Sequence, residues 1–367
     1  MKTEGSEAGW AERVRGEALA LGFDAVAFAP VDTGEGIAGD FARYEAFVAA
    51  GRHGEMGWLA RHGEVRARLD GPGILEGAKS VVCVARRYQR PPEEEAKDSP
   101  MAKSIARYAR GRDYHGFMRA RIRRLAAFVR RLGSPERPVE ARPLCDWEPV
   151  LERAWAARSG LGFIGKNGML IVPGVGSMVL LGEVVTTLDL APVDPARLAD
   201  RCGSCTRCLD ACPTSAFAAP YVLDPRRCVS YLTIEHHSPV PADLREGVGG
   251  HLFGCDVCQT VCPFNAGVGA RSALPEDDGD PFAPLDRWAT TRLEDLLSLD
   301  AAGWLALSEG TPLKRVGRAG LARNAAIVLG NRRDRGALPA LEQAARSHDD
   351  ATVREAAAWA ADRLRNP

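Results

Sequence analysis

The chain has no hydrophobic run approaching the ~20 apolar residues that cross a bilayer, which excludes a helical membrane protein. It has no net charge, because 48 Lys and Arg stand against 48 Asp and Glu, so any preference for a charged partner must come from local asymmetry. It lacks a basic and apolar leader, since Met1 to Trp10 is acidic and polar. With 46% hydrophobic and 26% charged residues it is an ordinary globular composition, and 367 residues suggest two or three domains. A chain of this length builds a core without staples. Its cysteines are therefore expected to be reduced and cytoplasmic rather than a disulfide framework.

Cysteine is what the chain does have, and where it lies organises everything else. Cys202, Cys205, Cys208 and Cys212 read C-x2-C-x2-C-x3-C, followed by Pro213. Cys255, Cys258 and Cys262 read C-x2-C-x3-C, followed by Pro263, and Cys228 stands between the runs. Eight thiolates suit two 4Fe-4S clusters, and in two-cluster ferredoxins the fourth cysteine of a run ligates the other cluster. This assigns Cys202, Cys205, Cys208 and Cys262 to one cluster, and Cys212, Cys228, Cys255 and Cys258 to the second. Paired zinc sites need neither the third cysteine nor the x3-C-P ending.

Charge is distributed unevenly. Residues 101–137 carry eleven Lys or Arg against Asp113 and Glu136, and residues 311–335 carry seven against Asp334. Such patches suit a locally anionic partner, although a solvated helix face is the commoner origin of a basic helix. Helices are expected over 10–21, 40–62, 114–132 and 148–159, with Phe117, Leu125, Phe128 and Leu132 facing inward on the third. Strands are expected at 25–29, 80–85, 137–145, 169–172 and 177–188. Alternation of helices and short buried strands argues an α/β (α+β) first domain over about 1–195. A ferredoxin-like segment, 196–270, comes next. An acidic linker and Ala-rich helices like HEAT repeats fill 271–367. There Thr311 and Pro312 start a helix that Gly330 ends, and Asp349 or Asp350 caps the last.

Two motifs need weighing. Gly160, Gly162 and Gly165 match G-x-G-x-x-G, but a dinucleotide site needs a strand before and a helix after, and the order here is reversed. These glycines more simply allow close backbone approach. Asp113-Tyr114-His115 begins the D-x-H-x-x-G pattern by which some corrinoid enzymes give a histidine to cobalt. Met118 replaces its final glycine.

Together, Leu21–Ala25, Gly54–Leu59, Arg107–His115, Asp146–Arg153, Gly160–Gly168 and the cysteine runs resemble the epoxyqueuosine reductase family over nearly the whole chain. The resemblance implies reduction of the epoxide of epoxyqueuosine in the tRNA anticodon loop, with cobalamin and two 4Fe-4S clusters as cofactors. It implies a corrinoid-binding core like that of reductive dehalogenases. It places Asp146 as proton donor and sets Arg68, Tyr108, Asp146, Lys166, Leu170, Arg227 and Tyr231 near the corrinoid, with the backbone at 181–183. His236, with His237, is expected to touch RNA. The implied partners are the tRNA anticodon stem-loop and an external electron donor, with no membrane, and a monomer is expected.

The chemistry fits such a set. Opening an epoxide to an alkene needs two electrons and a proton for the departing oxygen. Clusters pass single electrons, and a bound cofactor carries the difficult bond cleavage. Burial between Leu144 and Val150 is expected to raise the Asp146 pKa and keep it protonated, unless Asp146 merely caps the following helix. A dehalogenase-like reductase of small molecules and a bare electron-carrier module are the competing readings. The missing export signal counts against the first, and the large first domain against the second.

Overall fold

A computed structural model describes residues 7–31, 36–190, 198–268, 271–274 and 279–366. The 195/196 division expected from sequence lies outside the described residues, as do residues 275–278 of the acidic linker. Among the described residues no helix is long and apolar enough to cross a membrane.

The first half is built on one sheet of four strands: β1 (Ala25–Pro30), β2 (Ser80–Arg87), β3 (Ala141–Leu144) and β6 (Val179–Thr186). Their spatial order is β1-β2-β6-β3, with every pairing antiparallel. The fold is therefore the α+β form of the expected class, without the parallel crossovers of an α/β sheet. A separate hairpin, β4 (Phe163–Ile164) and β5 (Leu170–Ile171), lies beside it.

Both faces of the sheet are covered, which explains why β2 reads as an unbroken β-branched run: all eight of its residues are buried. Helices α1 (Glu7–Ala20) and α3 (Tyr114–Arg130) pack one face through Val14, Ala18, Met118, Ile122 and Leu125 against Val82, Val84 and Val184. Helix α2 (Ala38–Ala49) stops short of Gly51, whose φ is +61°, so the expected helix over 40–62 is broken there. The inner stripe of α3 is Met118, Ile122, Leu125 and Val129, spaced for one helical face. Phe117 and Phe128 flank it, half-buried. On the other face α4 (Glu152–Arg158) seats Trp155 and Ala156 against Val81, Cys83 and Val185.

The tail helices pack on the cysteine-rich segment. After the short helix α5 (Val229–Ile234) come α6 (Gly317–Arg332), α7 (Leu338–Ser347) and α8 (Ala351–Arg365). Thr311 caps only the 3-10 turn Pro312–Arg315, and α6 begins at Gly317. Gly330 does not end α6. It is buried within the helix, where an added Cβ would meet Ala360 and Trp359 at 2.9 Å, so it lets α8 approach closely. Asp350 caps α8, accepting from the backbone N–H groups of Thr352 and Val353.

One basic residue of the tail serves the core instead of a partner. Arg323 is fully buried and donates to the carbonyls of Leu232, His236 and Ser238 at 2.7–2.8 Å. Asn324 donates to those of Thr233 and Leu252. Together they lock α6 to α5 and the loop after it. Arg323→Met should lower unfolding free energy by about 1–3 kcal/mol for each buried carbonyl left without a donor. A thermal melt unchanged from wild type would contradict that brace.

Candidate active site and iron–sulfur centre

The two cysteine runs form matching turns. Cys205 and Cys208 flank the start of a short helix, Arg207–Asp210, and Cys255 and Cys258 flank that of another, Val257–Thr260. The thiols of Cys202, Cys205, Cys208 and Cys262 line one cavity of about 130 Å³. Cys255 feels the charges of Cys228 and Cys212, and Cys258 those of Cys228, Cys255 and Cys208, so these thiols lie within electrostatic reach of one another. Cys228 caps α5, and the Ala216 N–H points at the Cys212 sulfur at 3.3 Å.

The β4–β5 hairpin holds the first turn. Lys166 Nζ donates to the carbonyls of Gly203 and Cys205 at 2.6 and 3.0 Å, and Asn167 donates to that of Cys258. Gly162 lies so close to Ile171 that an added Cβ would stand 2.4 Å from its carbonyl oxygen. The glycines of the G-x-G-x-x-G match thus serve a tight hairpin that follows a helix. No strand precedes them.

Asp146 sits in the loop between β3 and α4. It does not cap α4, which begins six residues later behind Leu151. Its φ of +62° lies in the left-handed region that Asp and Asn tolerate better than most residues. Two carboxylates hold the loop, one within it and one at the start of α4: Glu148 Oε2 accepts from the Cys145 N–H at 3.2 Å, and Glu152 Oε1 from the Asp146 N–H at 2.7 Å. The Asp146 side chain is 48% exposed and faces two residues of α3. Tyr114 donates its hydroxyl to Oδ2 at 2.5 Å, and His115 Nε2 stands 3.0 Å from the same oxygen. His115 Nδ1 lies 2.6 Å from Asp113 Oδ1, the carboxylate that also caps the helix. An imidazole is thereby held between two carboxylates.

This geometry corrects the expected protonation of Asp146. Crowding by protein atoms does push its carboxyl up, as anticipated. The bonds from His115 and Tyr114 outweigh that, and the net displacement is below the usual carboxylate value. His115 is raised to about 9, first by its bond to Asp113 and then by that to Asp146. At neutral pH the resting site therefore keeps its mobile proton on His115, beside an ionised Asp146. The sequence marks His115 only as part of an incomplete D-x-H-x-x-G match. Only the meeting of α3 with the β3–α4 loop reveals its partners.

Aromatic rings join this site to the second cysteine group. The Tyr108 ring lies 5.8 Å from that of Tyr114, centroid to centroid, and its edge comes 3.8 Å from the Cβ position of Gly254, next to Cys255. Tyr231, three residues after Cys228, accepts from the Glu55 N–H at 2.9 Å. Arg227 is partly exposed and donates Nε to the Thr214 carbonyl. Arg68 is exposed and paired with Asp70, whereas Leu170 is buried in β5. His236 is mostly covered, its Nδ1 3.0 Å from Glu55 and its Nε2 3.1 Å from the Pro239 carbonyl.

Glu183 was not singled out as a side chain, although it is the most unusual residue of the sheet. It pairs with Cys83 and Leu144 on the two neighbouring strands, is fully buried, and has neither carboxyl oxygen hydrogen-bonded. Burial, and then the charge of Glu152, push it well above the usual value, which favours its neutral form. The Trp155 indole N–H on the same face is likewise unpartnered.

Comparisons with known proteins agree with this arrangement. A family model described as "4Fe-4S double cluster binding domain" matches residues 201–265, and one described as "Epoxyqueuosine reductase QueG, DUF1730" matches residues 68–146. The epoxyqueuosine reductase of Xanthomonas campestris is 41% identical over 355 residues, covering 95% of each chain. The chain belongs to the epoxyqueuosine reductase family. It is accordingly an oxidoreductase with an iron–sulfur double-cluster domain. A crystal structure of an epoxyqueuosine reductase with a tRNA-Tyr epoxyqueuosine-modified stem loop superposes with a TM-score of 0.83 at 28% identity, covering 98% of this chain and 91% of that one. The Bacillus subtilis epoxyqueuosine reductase superposes equally well, at 29% identity and the same coverage, in a structure whose catalytic aspartate loop is swung out of the active site.

Proposed function

We propose that this protein reduces the epoxide of epoxyqueuosine in a tRNA anticodon loop to the alkene of queuosine. Two electrons from an external donor pass through the cysteine-bound clusters, and Asp146 delivers a proton to the departing oxygen. The observation that carries the reading is the Asp113–His115–Asp146 array beside Tyr114. It is joined through Tyr108 to the loop of Cys255, so an acid and an electron route converge on one place.

The balance is simple. Two electrons and two protons enter, both carbon–oxygen bonds of the epoxide break, a carbon–carbon double bond forms, and the oxygen leaves as water. Cobalamin, when bound, supplies the low-potential cobalt chemistry that opens the carbon–oxygen bond. The residues present suit it. A corrin bears a fringe of amides, and the exposed guanidinium groups of Arg68 and Arg227 are donors that such a fringe can meet. Tyr108, Tyr231 and the backbone at Lys166–Leu170 and Leu181–Glu183 complete the proposed cradle. Asp146 takes its proton from His115 as substrate closes the site and water is excluded. Asp113 holds the imidazole in the orientation that faces Asp146. The cysteines divide as Cys202, Cys205, Cys208 and Cys262 around one cluster and Cys212, Cys228, Cys255 and Cys258 around the other.

In this reading residues 1–195 bind the corrinoid, 196–270 hold the clusters, and the HEAT-like helices of 271–367 help to grip RNA. Arg119, Arg123 and Arg124 on α3 and Lys314, Arg332 and Arg333 in the tail are exposed and available to phosphates, with His236 as a further proposed RNA contact. A monomer working in the cytoplasm, where tRNA is modified, fits these roles. Anaerobic titration of cluster-loaded protein with cobalamin should give a saturable change in the corrin absorption spectrum. Anticodon stem-loop affinity should fall steeply as salt is raised. No corrinoid binding by protein holding both clusters would remove the proposed route.

A further inference from the structure

Beside Asp146 lies a cavity of about 200 Å³ that the proton and electron routes leave unused. It is lined by Arg119, Arg123, Pro143, Leu144, Trp147 and Glu148, among others. Trp147 directly follows Asp146 and is 42% exposed, one of the few large apolar side chains left open to solvent. The Arg119 guanidinium covers one side of its ring at 4.1 Å from the centroid, and the His115 ring stands 6.0 Å away. An exposed indole backed by a guanidinium is a poor use of apolar surface in a free protein, but it is a platform on which an unstacked base can lie. Arg119 and Arg123 are exposed at the rim, where a phosphate would run, and Glu148 offers an acceptor for base N–H groups.

We propose that this cavity is a second nucleotide subsite, which takes the unpaired nucleotide next to the reacting one in the RNA substrate. The inference rests on the proposed function, since it assumes single-stranded RNA reaches Asp146. A modified base cannot react inside a stack, and drawing it out leaves its neighbour without a stacking partner. Trp147 replaces that partner, and its place next to Asp146 couples recognition of the neighbour to the loop that carries the acid.

The test is a cycle of protein and RNA changes read by binding. Cluster-loaded wild type and Trp147→Ala are titrated with an anticodon stem-loop that is intact, or abasic at one or the other neighbour of the modified position. Trp147→Ala should weaken binding of the intact stem-loop about tenfold, the typical worth of one stacked base. Trp147→Phe should recover most of the loss. One abasic stem-loop should bind wild type about tenfold more weakly yet bind Trp147→Ala no worse than the intact stem-loop does. Iron content serves as the check on folding. Equal affinity of wild type and Trp147→Ala, or the same abasic penalty in both, would overturn the subsite. Wild type that shows the coupling but never converts epoxyqueuosine would instead overturn the proposed function and leave the subsite standing.

Discussion

Asp146→Asn is expected to lower the rate of epoxide reduction by about 10²–10⁴-fold, the usual worth of a positioned acid, while leaving iron content unchanged. Asn tolerates the left-handed backbone that Asp146 adopts, so the loop should keep its shape. What changes is proton traffic. The amide accepts from Tyr114 or His115 through its oxygen, but it carries no proton to a departing alkoxide. The pH dependence follows from His115 and Asp146 together. His115 has its folded value raised above the ordinary 6.5, so the stability its ion pairs contribute is full below about 6.5. That contribution is lost as pH rises through about 9. Asp146 has its value depressed, so its share is present above the ordinary carboxylate range and lost as pH falls through the lowered value. Of the groups facing them, Asp113, Tyr114 and Arg315 keep one charge across that window, whereas Glu152, which accepts from the Asp146 N–H, is pushed up to about 7 by burial and then by the charge of Asp146, and ionises at its lower edge. Turnover should therefore decline as pH rises through about 9, and His115→Gln should remove that alkaline limb while lowering the plateau. A His115→Gln profile that still bends at the same pH would assign the limb to another group.

Cys228→Ser is expected to have the other large effect, and through iron. The chain should fall from about eight iron atoms to about four, because one of two 4Fe clusters loses a thiolate that no other residue replaces. Turnover should disappear with it. Cys228 stands at the N-cap of α5, three residues before Tyr231, and the group proposed for it includes Cys255, next to the Gly254 that the Tyr108 ring approaches. Cys83→Ala is the control. Cys83 is buried in the middle of β2 against Glu183 and should keep all the iron. If Cys228→Ser retained full iron, the second group would need a ligand other than the one its spacing assigns.

Much of this was legible in the sequence. The cysteine spacing is a local rule, and the family match over residues 201–265 bears out the double-cluster domain it announces. The buried strands Ala25–Pro30 and Ser80–Arg87 announce themselves by β-branched and apolar runs, and of the two candidate caps Asp349 and Asp350 it is Asp350 that starts the last helix. What was hidden depends on contacts between distant segments. Tyr114 and His115 meet Asp146 across 31–32 residues, and their hydrogen bonds invert the protonation that local burial alone suggests. Glu183 looked like an ordinary strand residue until the pairing of β6 between β2 and β3 enclosed it. Arg323 counted as one more tail cation, although three carbonyls around α5 hold it inside the protein. Antiparallel order in the sheet could not be read either, because short buried strands look alike in both directions.

The central claim is that electrons from two cysteine-held clusters and a proton from the Asp146 loop meet on one epoxide. Its most direct measurement is anaerobic single turnover of an epoxyqueuosine-containing stem-loop, with the nucleosides then weighed by mass spectrometry. Protein carrying both clusters and cobalamin should remove one oxygen atom from the modified nucleoside, and protein without cobalamin should not. An epoxide left intact by protein that holds both clusters, the corrinoid and the stem-loop would contradict the account.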